Sequence, residues 1–183
     1  MAGERSGTER ERSTAEDGRP NAGRERAAPA DDRLFRLTTA GFGAAAVLHA
    51  AWAWGVAPAI RFAAVAVVAA FVAEVAVIRL GLLEHHTEPK LLDVPVVALL
   101  GWVGAIYLSY SLVGFVVAGA VRPVAAGLLA TALDLLTDPN GVENGFWTYP
   151  ESRLSTPRYR DVPWWNFVGW FVLTTLVAAV GAP

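Results

Sequence analysis

The sequence predicts an all-α fold: a polytopic integral membrane helix bundle of about five transmembrane helices behind a disordered N-terminal tail. Three observations predict it. The chain of 183 residues is 54% hydrophobic, with a mean hydropathy of +0.39. Its apolar residues lie in blocks close to the ~20 residues that a helix needs to cross a bilayer. The blocks are evenly apolar rather than striped or alternating, unlike an amphipathic surface helix or a strand.

Residues 1–33 are the tail. Six arginines and eight acidic residues precede Arg33 with no apolar run among them, so the segment cannot bury enough surface to offset its ordering entropy. It lacks the apolar stretch of a signal peptide, and its acids argue against a transit peptide. Residues 34–183 form the helical domain. Its first span is 37–57, ended by Pro58, and its second is 62–83. The third, 94–121, has Asp93 as N-cap and Pro95 in its first turn. It exceeds the length of a ~30 Å core at 1.5 Å per residue, so tilt or a break near Gly114–Gly119 is expected. The fourth, 124–136, is short enough for a half-span and stops at Pro139-Asn140-Gly141. An aromatic loop, 138–162, leads to the fifth span, 163–180. No internal repeat is visible by eye.

Loop charges set an orientation. With the N-terminus cytoplasmic, the inner side receives Arg33, Arg36, Arg79, Lys90, Arg153, Arg158 and Arg160, and the outer side only Arg61 and Arg122. This follows the positive-inside rule and predicts a multi-pass protein of the cell membrane. It also gathers Glu84, Glu88, Asp134, Asp138 and the aromatic loop on one side. A net charge of −2 gives no footing for nucleic acid, and the lack of cysteine excludes thiolate chemistry and cysteine metal sites. Fourteen arginines against one lysine, amid much Ala, Val and Gly, fit a GC-rich prokaryotic source.

A carboxylate in mid-span costs about 2.5–3.5 kcal/mol on insertion scales, so each needs a reason. Glu74 lies within the second span, and at helical spacing it shares a face with Ile78, Gly81 and His85. It is either a hydrogen-bonded link between helices or part of a site. The run Glu84-His85-His86-Thr87-Glu88 reads as a solvated helix end rather than a metal site. Asp134 and Asp138 are one turn apart, near Thr131 and Thr137, and such a pair can divide labour, one protonated and one ionised. Asp138 also fits a cap or turn before Pro139, but capping does not explain Asp134. Asn166 needs a polar partner, and Asp134 or Asp138 is the candidate. His49 predicts an interhelical hydrogen bond. Gly104, Tyr107, Ser111 and Gly114 form a stripe for close helix packing. Tyr159, Trp164 and Trp165 fit an interfacial aromatic belt, which leaves Phe146, Trp147 and Tyr149 unexplained.

Three blocks carry a resemblance: Ala132-Leu133-Asp134-Leu135 with Asp138-Pro139, then Gly145-Phe146-Trp147-Thr148-Tyr149, and Val162-Pro163-Trp164-Trp165-Asn166-Phe167-Val168-Gly169-Trp170. Asp93-Val94-Pro95 with Trp102 is a weaker echo. They resemble the membrane carotenoid-biosynthesis family that includes bisanhydrobacterioruberin hydratase, a carotenoid 1,2-hydratase. The likeness covers about the last half of the chain, which would be a short, divergent member with Asp138 where relatives usually carry Glu. The resemblance implies hydration of a terminal isoprenoid double bond in a C40 or C50 carotenoid. No redox cofactor and no metal are required. Asp134, Asp138, Glu74 and Asn166 would be catalytic, and Trp147, Tyr149, Trp164, Trp165 and Tyr107 would bind the substrate. The expected partners are the lipid bilayer, the carotenoid, and other carotenoid-biosynthesis enzymes.

Two rival functions remain open in the sequence. Asp134 and Asp138 form a D-x-x-x-D pair that could hold magnesium in a prenyl-diphosphate enzyme, with Glu84 and Glu88 as its second acidic cluster. A non-enzymatic carotenoid- or lipid-binding membrane subunit would use the same rings without chemistry.

Overall fold

A computed structural model describes residues 32–151 and 156–183. The expected tail lies outside the described residues as far as residue 31. Asp32 and Arg33, assigned to it from sequence, instead open the first helix. The helices are α1 (Asp32–Trp54), α2 (Val56–Arg79), α3 (Val96–Val113), α4 (Arg122–Glu143) and α5 (Trp164–Gly181). All five are long and apolar enough to cross a membrane, α4 together with the 3-10 turn Gly119–Val121 before it. The chain is a multi-pass membrane helix bundle.

Several boundaries differ from the sequence reading, each for a local reason. Pro58 does not end α1; the break is Gly55, at φ 93°, and Pro58 sits in the first turn of α2, where a missing N–H costs nothing. α2 ends early because Gly81, at φ 69°, turns the chain left-handed. Gly81 N–H then bonds Ile78 O, and Leu82 N–H bonds Val77 O, a closure that satisfies the last carbonyls. Pro139 does not stop α4 either, since a proline removes only one donor. The helix runs to Glu143 and closes in the same way, with Gly145 at φ 74° and Phe146 N–H bonded to Gly141 O at 3.0 Å. Asp93 is not an N-cap. Leu92 and Asp93 both have positive φ and form the turn between β2 (Lys90–Leu91) and β3 (Val94–Pro95), which delivers the chain into α3. α3 stops at Val113, and the chain turns before Gly119.

Glu84–His85 is likewise no helix end. It is a strand, β1, paired antiparallel with β4 (Trp147–Thr148). A hairpin of β5 (Arg158–Tyr159) and β6 (Val162–Pro163) leads into α5. All six short strands lie at one end of the bundle, with the N-terminus of α1, where Phe35 stacks on Phe146 at 4.1 Å and Arg36 donates to Glu88 O. At the opposite end Trp54, Tyr110, Arg122 and Pro183 meet.

The core at that opposite end is aromatic and small-residue packing. Phe62, Trp54 and Tyr107 meet edge to face, and His49 Nδ1 bonds Tyr107 Oη at 2.5 Å. On the expected small-residue stripe, a Cβ on Gly104 would fall 2.5 Å from the Phe42 ring, so glycine here lets α1 lie directly on α3.

The structure also reveals a repeat that the sequence reading missed. The order α2, β1, β2, β3, α3 recurs as α4, β4, β5, β6, α5. Both outer helices close on a glycine, Gly81 and Gly145, and each carries a buried acid seven residues earlier, Glu74 and Asp138. Both hairpins read Pro-x-x-x-Asp-Val-Pro, at 89–95 and 157–163, and in each the first helical N–H bonds back to the leading proline, Val96 to Pro89 and Trp164 to Pro157. Gly101-Trp102 and Gly169-Trp170 then fall in register, and the two tryptophans stack on each other at 3.8 Å. α1 stands outside this repeat.

Candidate active site

A cavity of about 320 Å³ lies within the bundle, towards its strand-bearing end. Its α1 wall is Phe35, Thr39 and Phe42, and its α3 floor is Ala98, Gly101, Trp102 and Ala105. α4 contributes Asp134, Thr137 and Asp138; α5 contributes Asn166 and Trp170. Glu74, Leu83, His85, Trp147 and Tyr149 complete it.

The polar groups form two clusters set in this apolar lining. In the first, Asp138, 3% exposed, accepts from Trp147 Nε1 at 2.5 Å, Tyr149 Oη at 2.7 Å and Asn166 Nδ2 at 2.5 Å. Asp134, 4% exposed, accepts from the same Asn166 Nδ2 at 3.0 Å. The amide of Asn166 thus spends one N–H on each carboxylate. Among the described residues it is the only side chain that hydrogen-bonds Asp134. Burial first, then the charge of Asp138, pushes the Tyr149 hydroxyl well above its ordinary range, so it remains a donor.

In the second cluster Glu74, 7% exposed, accepts from Trp102 Nε1 at 2.9 Å and meets His85 Nε2 at 3.0 Å. Sequence reasoning paired Glu74 with His85 on one helical face. The helix has ended by then, and strand β1 carries His85 back to the acid.

Local packing fixes these groups. A Cβ on Gly141 would fall 1.9 Å from the Trp147 ring, so only glycine lets the indole lie over α4 with its N–H on Asp138. Tyr149 packs edge-on against Trp165 at 5.7 Å, and Arg158 holds the carbonyls of Tyr149 and Pro150.

The sequence model of the carotenoid biosynthesis protein family matches residues 36–182. The chain belongs to that family. The match reaches all five helices, well beyond the last half that carried the resemblance by eye. No curated protein and no solved structure matches the chain.

Of the site residues expected within this carotenoid-biosynthesis protein, Asp134, Asp138, Glu74, Asn166, Trp147 and Tyr149 all line the cavity. Trp165 lies beside it, in a second pocket of about 100 Å³ between α2 and α5. Two do not join the site. Trp164 is 45% exposed against Phe167, and Tyr107 is committed to His49 and Trp54. Sequence reasoning placed neither α1 nor the stacked Trp102–Trp170 pair at the site. The repeated Gly-Trp at 101–102 and 169–170 was the available signal for the pair; nothing in α1 announces its role.

Proposed function

We propose that this carotenoid-biosynthesis membrane protein adds water across a terminal isoprenoid double bond of a C40 or C50 carotenoid. The observation that carries the reading is the pair of buried carboxylates bridged by one amide inside an aromatic, apolar cavity. Hydration begins when an acid gives its proton to the less substituted alkene carbon, leaving a tertiary cation. Water then forms the new C–O bond, and a base takes the released proton. Asp134, with a single donor on it, keeps an oxygen available to carry the proton to carbon. Asp138, an acceptor for three donors, is arranged as the carboxylate that orients water and takes its proton. Transfer of that proton back to Asp134 resets the pair with no net change in the protein. The rings of Trp102, Trp147 and Trp170, which line the cavity, would give the cation an attractive wall.

The magnesium-dependent reading finds less support. Glu84 and Glu88, its second acidic cluster, do not line the cavity; they lie beside His86 and Lys90. Among the described residues no group of three His, Cys, Asp or Glu side chains is placed to hold a metal ion.

The test is expression in a carotenoid-producing host with pigment analysed by mass, where each hydrated end adds one water. Asp134→Asn should insert and retain pigment but leave its mass unchanged, because an amide keeps the shape and cannot deliver the proton. Asp138→Glu should be the mildest change at that position. Wild-type turnover in Asp134→Asn would overturn the assignment and move the acid to Glu74. Pigment that copurifies unchanged with the wild type would establish the carotenoid-binding alternative.

A further inference from the structure

The cavity is too small for the molecule it is proposed to act on. At about 30 Å³ per carbon unit, the share of one liquid water, a forty-carbon chain needs on the order of 1,000 Å³. The 320 Å³ available holds roughly ten such units. The remaining carbons must leave the bundle somewhere, and the packing shows where.

α1 packs along α2 and α3, and α4 along α3 and α5. α1 and α4 face each other across the cavity without a comparable packed interface. Both walls of this gap reach the surface: Phe42 on α1 is 40% exposed, and Thr137 on α4 is exposed. Its floor is the side of α3 bearing Ala98, Gly101 and Ala105, all half-buried. Those seven residues of rise make a trough about 10 Å long at 1.5 Å per residue. At the strand-bearing end the gap is shut by Phe35 stacked on Phe146, so it opens towards the hydrocarbon.

The repeat supplies an internal comparison. The groove between α3 and α4 corresponds to the one between α5 and α2, which holds only about 100 Å³. In that smaller groove Leu173 stands where Ala105 stands in the larger one.

We infer that a long isoprenoid enters sideways from the bilayer between α1 and α4, lays roughly its last ten carbons over Ala98, Gly101 and Ala105, and leaves the rest of its length in lipid. This rests on the cavity being the isoprenoid site, but not on the chemistry done there. Ala105 sets the width of the trough, and a two-ended substrate is processed one end at a time.

The test uses full-length protein in lipid vesicles that contain a forty-carbon polyene, with quenching of tryptophan emission as the measure of uptake. Ala105→Leu, which copies the smaller groove, should slow or weaken uptake about tenfold or more, while Val172→Leu on the lipid-facing side of α5 should match the wild type. Cysteines at positions 39 and 137, joined by a cleavable cross-linker, should block uptake until the linker is cut. Phe42→Ala, which widens the gap without a thiol, should speed uptake. Undiminished quenching with the linker intact, or unchanged uptake in both Ala105→Leu and Phe42→Ala, would overturn the route. A pigment that is taken up through the gap but never gains water would instead sink the hydratase reading and leave the route standing.

Discussion

Asn166 is the most economical point at which to break the proposed chemistry, because one side chain serves both acids. Asn166→Leu keeps nearly the same shape and removes the Nδ2 donor that lies 2.5 Å from Asp138 Oδ2 and 3.0 Å from Asp134 Oδ2. A hydrogen bond to a charged group contributes about 1.5–3 kcal/mol. Asp138 keeps Trp147 and Tyr149, so its loss is partial. Asp134 loses its only side-chain donor among the described residues, and the two carboxylates lose the group that fixes their spacing. If one bond's worth appears in the barrier, 1.5–3 kcal/mol lowers kcat roughly 10- to 150-fold. The assay is conversion of carotenoid by purified protein in vesicles, with product read by mass and thermal unfolding measured on the same sample. The unfolding midpoint separates a positioning defect from a folding defect. Asn166→Gln, which keeps the amide, should recover part of the rate. A kcat for Asn166→Leu within about twofold of wild type, well under the 1.4 kcal/mol that tenfold requires, would refute the bridging role.

Two further outcomes are expected. Gly141→Ala places a methyl 1.9 Å from the Trp147 ring; it should cost about 1–3 kcal/mol of stability and lower turnover by lifting the indole from Asp138, as read by thermal unfolding and pigment mass. In a chain without cysteine, a single cysteine at position 151 should label only from the cytoplasmic side and one at 120 only from the outside, and the reverse pattern would invert the proposed orientation.

The spans were legible because apolar runs of bilayer length admit few structures. Their ends were not, because proline was read as the stop signal when glycine was. Pro58 and Pro139 both sit inside helices, while Gly55, Gly81 and Gly145 make the turns at positive φ. Asp134 stood out as an acid that capping does not explain, and it lies buried inside α4; Asn166 stood out as an amide in search of a partner, and it bonds Asp134 and Asp138. Trp164 and Tyr107 are aromatic residues near polar ones in sequence, yet their helices turn them elsewhere. The role of α1 was invisible because Phe35, Thr39 and Phe42 sit in an unremarkable apolar helix. Only tertiary packing puts them opposite α4.

The repeat bears on which carboxylate carries the proton. Glu74 and Asp138 are counterparts, and so are their partners His85 and Tyr149, each four residues beyond the closing glycine. What the second half adds is Asp134 and Asn166, where the first half has Ala70 and Ala98. Within one chain, the same scaffold therefore holds a lone acid on one side and an amide-bridged pair of acids on the other. Glu74 already has a partner on each oxygen, Trp102 on Oε1 and His85 on Oε2, which suits a fixed wall of the cavity. Asp134 has one donor beside a second carboxylate, which suits a proton that must leave and return. On the proposed hydration, the asymmetry between two otherwise matching halves favours Asp134 over Glu74 as the acid.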